Sequence, residues 1–172
     1  MTVMKLIATL ALVLVSSSAT ADTTLLRKDY SQAEIINMLR AEGYNTVRDT
    51  TSDNGEKSLE IKVNGITYSM RVFNDGDLLL YFGMTGFDID VADINDWNRR
   101  QRLTRAYLDH ENDPILEADL LANAGYSAQQ LTEFLAVFVE MSLRYREHLR
   151  DVNRGPTTPE EEASDHDQTV VT

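Results

Sequence analysis

Cysteine is absent from all 172 residues. That excludes a disulfide framework, a thiolate zinc site, an iron–sulfur cluster, a cysteine nucleophile and a lipid anchor on an N-terminal cysteine. Basic residues are scarce: 16 Lys and Arg stand against 28 Asp and Glu, for a formal charge of −12. Nucleic acid is therefore not an expected partner, because neutralising phosphates takes a surplus of cations. Proline occurs three times and tryptophan once. The longest apolar run, Leu6–Val15, is about half of what crosses a bilayer. What remains is an ordinary globular composition, 42% hydrophobic and 26% charged, of a length that suits one domain.

Both ends read as something other than fold. Lys5, the Leu6–Val15 run, Ser16, Ser17 and Ser18, and then Ala19-Thr20-Ala21 before Asp22 have the layout of a secretory signal. The expectation is a signal peptide over 1–21, cut after Ala21, and a periplasmic or secreted protein with no membrane span after cleavage. Met4-Lys5 looks like the more usual start of such a segment. At the other end, residues 155–172 carry Pro156, Pro159, Glu160, Glu161, Glu162, Asp165 and Asp167 and no Lys or Arg. Such a stretch has little to bury and is expected to be a disordered acidic tail. The domain is expected at 22–154.

Three helices are signalled by the same start device. Ser31-Gln32-Ala33-Glu34 is a capping box, followed by Ile35, Ile36, Met38 and Leu39 and closed by Gly43. Asp90-Val91-Ala92-Asp93 opens a second helix with Val91, Ile94 and Trp97 at threes. Ser127-Ala128-Gln129-Gln130 opens a third, in which Leu131, Phe134, Leu135, Phe138, Ser142, Tyr145 and Leu149 follow a 3.6 period to about Arg150. Between them lie strands. Leu59, Ile61 and Val63 alternate with polar residues up to Asn64-Gly65, and Ile66, Tyr68, Met70 and Val72 alternate after it. A two-residue turn there sets Val63 against Ile66, Ile61 against Tyr68 and Leu59 against Met70, all on one face. Further strands are expected at about 46–50, before a turn at Asp53-Asn54-Gly55, and at 78–84, 103–109 and 115–121. Runs of adjacent strands predict an α+β domain, helices packed on an antiparallel sheet, in the order α-β-β-β-β-α-β-β-α.

Ile94-Asn95-Asp96-Trp97-Asn98 resembles the I-N-x-W-N motif of the YbjN-like domain family. Arg105-Ala106-Tyr107-Leu108-Asp109 followed by Asp113-Pro114-Ile115-Leu116-Glu117 resembles that family's R-A-Y-L-D … D-P-x-L-E stretch. The resemblance implies a curved sheet with helices on it, as in type III secretion chaperones, and a role in bacterial sensory transduction with peptide binding and dimerisation. It implies no catalytic residue and no cofactor.

The search for chemistry returns little. Asp109, His110, Glu111 and Asp113 crowd one turn, but the sixth residue from Asp109 is Pro114 and the twelfth Leu120, which breaks the calcium-loop template. Asp88, Asp90, Asp93 and Asp96 are accounted for largely by helix capping. Arg99, Arg100, Arg102 and Arg105 form one basic group, and Arg144, Arg146, Arg150 and Arg154 another. The third helix is apolar on more than one side, through Phe134, Leu135, Val137, Phe138, Val139 and Met141, wider than one core-facing stripe needs. The expectation is a non-enzymatic binding module with no cofactor and no metal. It would engage a protein or peptide, or a second copy, through the third helix or the adjacent sheet surface, with Phe134, Phe138, Met141, Tyr145, Arg99 and Arg102 as the contact residues. The alternative is a small-ligand-binding or hydrolytic protein using a polar cleft near Arg105, Asp109 and His110.

Overall fold

The computed structural model describes residues 26–51 and 57–153. The expected signal, the acidic tail and the Asp53-Asn54-Gly55 turn lie outside the described residues. The elements run α1 (Gln32–Ala41), β1 (Val47–Thr51), β2 (Lys57–Val63), β3 (Ile66–Val72), β4 (Leu78–Gly83), α2 (Val91–Arg100), β5 (Arg105–Leu108), β6 (Pro114–Leu120) and α3 (Ala128–Asn153). This is the expected α+β order.

Each helix begins as its capping residues dictate. Ser31 Oγ accepts from the Glu34 N–H, and the Glu34 carboxylate accepts from the Ser31 N–H. Asp90 and Asp93 exchange the same pair of bonds, as do Ser127 and Gln130. α1 buries Ile35, Ile36 and Leu39. α2 buries Ile94 and Trp97, whereas Val91, one residue inside the cap, faces solvent.

One antiparallel sheet takes all six strands in the order β1-β2-β3-β4-β6-β5. The β2–β3 hairpin has the register its Asn-Gly turn requires, Val63 to Ile66, Ile61 to Tyr68 and Leu59 to Met70. After β4 the chain crosses through α2 to the far edge, lays down β5, and returns as β6 between β5 and β4. A turn at Gly76 packs on the N-terminal segment so closely that an added Cβ would lie 1.7 Å from the Lys28 carbonyl oxygen. Its φ of +92° is also one that glycine tolerates best.

The helices cover one face of the sheet. Leu59, Ile61, Tyr68, Met70, Leu78, Leu80, Phe82 and Leu116 point into that side and are buried with the inner residues of α1, α2 and α3. α3 meets α1, α2, β4 and β6, and so needs apolar residues over a wide arc. Tyr68 spans the interface and donates to Ser142 Oγ at 2.8 Å, while Ser142 donates to the Val139 carbonyl. Trp97 packs against Tyr145 and His148, with ring centroids 4.9 and 5.7 Å away.

Candidate functional site

The breadth of α3 is mostly spent on the core. Phe138, Met141 and Tyr145, expected at a binding surface, are buried. This corrects the reading of α3 as carrying a surplus apolar side, because three sets of neighbours consume its arc. Phe134 and Val137 are only partly buried. They form one wall of a groove of about 280 Å³, closed on the other side by Leu103 and Leu120 and rimmed by Asp119 and Glu133.

The groove runs beside an unfinished sheet edge. Asp109 N–H donates to the Asp113 carbonyl, and Met84 N–H to the Pro114 carbonyl. In an antiparallel ladder the backbone groups of successive residues point to alternate neighbours. Odd-numbered residues of β6 therefore aim at β5 and even-numbered ones at β4. β5 pairing starts only at Arg105 opposite Glu117, because Leu103 has a φ of +71°, rare for a leucine and incompatible with a strand. That shortens β5 relative to the expected start at Leu103. β6 continues to Leu120 with β4 alone. The Asp119 N–H and C=O thus face the gap, and among the described residues no backbone bond from a loop reaches them there. Thr104 Oγ1, in the wall of the same groove, is buried without a hydrogen-bond partner.

The outer edge of β5 is closed by contrast. Asn98 Nδ2 donates to the Ala106 carbonyl at 3.0 Å and Asn98 Oδ1 accepts from the Ala106 N–H at 2.9 Å. One side chain mimics a paired strand and blocks that edge.

Residues 31–151 match the model of a family described as "Putative bacterial sensory transduction regulator". The chain belongs to the YbjN family. No curated protein matches it. Among solved structures it is similar to the type III secretion chaperone SycH of Yersinia pestis, solved in complex with a stable fragment of YscM2. Identity is 17% and the TM-score 0.48, over 64% of this chain and 94% of the other.

The YbjN motif residues have separable places. Ile94 and Trp97 anchor α2 in the core; Asn95 is exposed on its outer side; Asn98 seals β5. Asp109 Oδ1 accepts from the N–H groups of Glu111 and Asp113, and so shapes the hairpin turn that Pro114 follows. His110 stands 87% exposed at the tip. The expected polar cleft of Arg105, Asp109 and His110 is therefore not formed: turn geometry turns His110 outward, and Arg105 lies further along the strand. Among the described residues no group of three His, Asp or Glu side chains gathers as a metal site would require. Arg99 and Arg102 are exposed, and Arg99 lies 3.9 Å from Asp96.

Arg105, Tyr107 and Glu117 do converge, on the face of the sheet that the helices leave open. Glu117 is only 7% exposed. Its carboxylate pairs with the Arg105 guanidinium and accepts from the Tyr107 hydroxyl at 2.8 Å. Burial, then this carboxylate, push the Tyr107 phenol up to about 12. Tyr107 thus serves the carboxylate. Beside the cluster lies a second hollow, of about 430 Å³. Sequence inspection does not find it, since its walls come from five strands.

Proposed function

We propose that this YbjN protein is an exported, non-enzymatic regulatory module that captures an extended segment of a protein partner. The observation that carries this is the overhang of β6 past β5 beside the Phe134–Val137 groove. A strand added there would receive the Asp119 N–H and C=O, and its inward side chains would enter a pocket built of Leu103, Leu120, Phe134 and Val137. The Glu133 carboxylate at the rim favours a segment with Lys or Arg beside its apolar residue. Asp119, whose carboxylate lies on the open face 3.9 Å from Arg105, disfavours a second copy paired about a twofold axis at this point, which would set Asp119 against Asp119. The family description as a transduction regulator supports a binding role. The layout of residues 1–21 supports export.

The test is a photocrosslinking amino acid placed at Leu103 in living cells, with Val91, exposed on α2, as control. A discrete protein adduct at Leu103 that disappears in a Val137→Asp background is expected. No adduct beyond the Val91 background rejects the site, and full retention in the cytoplasmic fraction rejects export. Light scattering of the purified chain tells self-association from a foreign partner.

A further inference from the structure

The open sheet face holds a second site, on the side away from the groove. Arg48, Glu60, Ser69, Tyr81, Glu117 and Arg105 stand in one row across all six strands. A face without a helix layer should be polar and wet. Here it nevertheless buries a carboxylate, Glu117, and an isoleucine, Ile115 at 1% exposure. Burying a charge costs free energy unless it is paired. Tyr107 and Arg105 supply that pairing, but each Glu117 oxygen keeps acceptor capacity for a further donor.

The hollow next to Glu117 has a polarised lining. On the β6 side are Glu117 and the phenol rings of Tyr81 and Tyr107; on the β2–β3 side are Arg71, Ser58 and Ser69; Leu79 lies between. The carboxylates of Asp109 and Asp113 add to the negative field felt by Tyr81. Phenol faces and carboxylates suit an ammonium group, whereas a guanidinium fork with hydroxyls suits a carboxylate. The volume falls in the range of small-molecule pockets, which join an apolar floor to a few placed polar groups.

We propose that this hollow binds a small zwitterion of the amino-acid or short-peptide kind, its ammonium toward Glu117 and the two tyrosines and its carboxylate toward Arg71, Ser58 and Ser69. The site is separate from the groove at α3 and stands without it.

Calorimetric titration of the full chain with the twenty amino acids and a panel of dipeptides tests the proposal. At least one should bind saturably. N-acetylation and C-amidation of that ligand should each weaken it tenfold or more, since each removes one charge. Arg71→Met should erase the penalty of amidation, and Leu79→Trp, which fills the floor without touching a charge, should abolish binding. Saturable binding by none of these probes overturns the proposal. So does binding indifferent to acetylation and amidation, or binding that survives Leu79→Trp in a chain whose circular dichroism is unchanged.

Discussion

Alternate residues of the same strands build the two faces of the YbjN sheet, so the faces share one backbone and differ in side chains alone. On the covered face Leu59, Ile61, Met70, Leu78 and Leu80 pack against three helices with no exposure at all. On the open face Ser58, Glu60, Ser69, Arg71, Leu79 and Tyr81 occupy the intervening positions and are half-buried. The covered face draws its stability from area, which is non-directional and tolerant of which apolar residue supplies it. The open face depends on a few directed contacts around one carboxylate. Folding needs the first; the second places charges where a ligand can meet them.

Adjacent leucines put the sharpest strain on that comparison. Leu80→Ala removes a fully buried side chain and should cost about 2–5 kcal/mol. Leu79→Ala, one residue away on the open face, should stay within about 0.5–1 kcal/mol, nearer the range of surface substitutions. Urea unfolding of both variants measures the gap. Equal losses would mean that the open face is covered in solution by something the chain itself supplies.

Arg105 comes next in size. Its removal leaves Glu117 buried with Tyr107 alone, and breaking one partner of a buried pair typically costs about 3–5 kcal/mol. Arg105 is 61% exposed on its side chain, so water replaces part of the contact and about 1–2 kcal/mol is expected for Arg105→Ala. Arg105→Met with Glu117→Met should recover most of it, because the cost lies in the stranded charge and not in the missing bridge. A double variant no better than the single one would show that the pair also holds the β5–β6 register.

How far these faces could be read in advance depends on the range of the signal. Asn64-Gly65 and the alternation around it are local, and they sufficed to put six side chains on the covered face in correct register. The three capping boxes are local too, and each helix starts where they say. Leu103 looks like a strand residue and so lengthens the β5 that the sequence predicts; only its left-handed backbone shows that the strand has yet to begin. A single stripe suffices for a helix on a sheet, which predicts Phe138, Met141 and Tyr145 at a surface; that α3 also packs on α1 and α2 is a tertiary fact. Arg105, Tyr107 and Glu117 were visible as motif residues, but their meeting with Tyr81 and Arg71 requires β6 to insert between β4 and β5. No local pattern encodes that crossover.

The smallest expected effect separates the causes behind two tyrosines, one on each side of the comparison. Tyr126 belongs to the buried core and its phenol is pushed up to about 12 chiefly by burial, with Tyr30 adding to it. Tyr107 reaches about 12 by burial together with its bond to Glu117. A phenol whose folded pKa lies above its unfolded value near 10 holds its proton more tightly in the native state. Its contribution to stability is complete below about pH 10 and is lost as pH rises through about 12. Glu117→Gln removes the negative charge beside Tyr107 and leaves Tyr126 untouched. Ultraviolet titration of phenolate should then show Tyr107 moving back toward 10, with Tyr81, which also feels Glu117, shifting the same way while Tyr126 stays, and the loss of stability between pH 10 and 12 should become shallower without vanishing. If neither tyrosine moves, burial alone sets both phenols, and Glu117 exerts less field on the open face than its position beside the hollow demands.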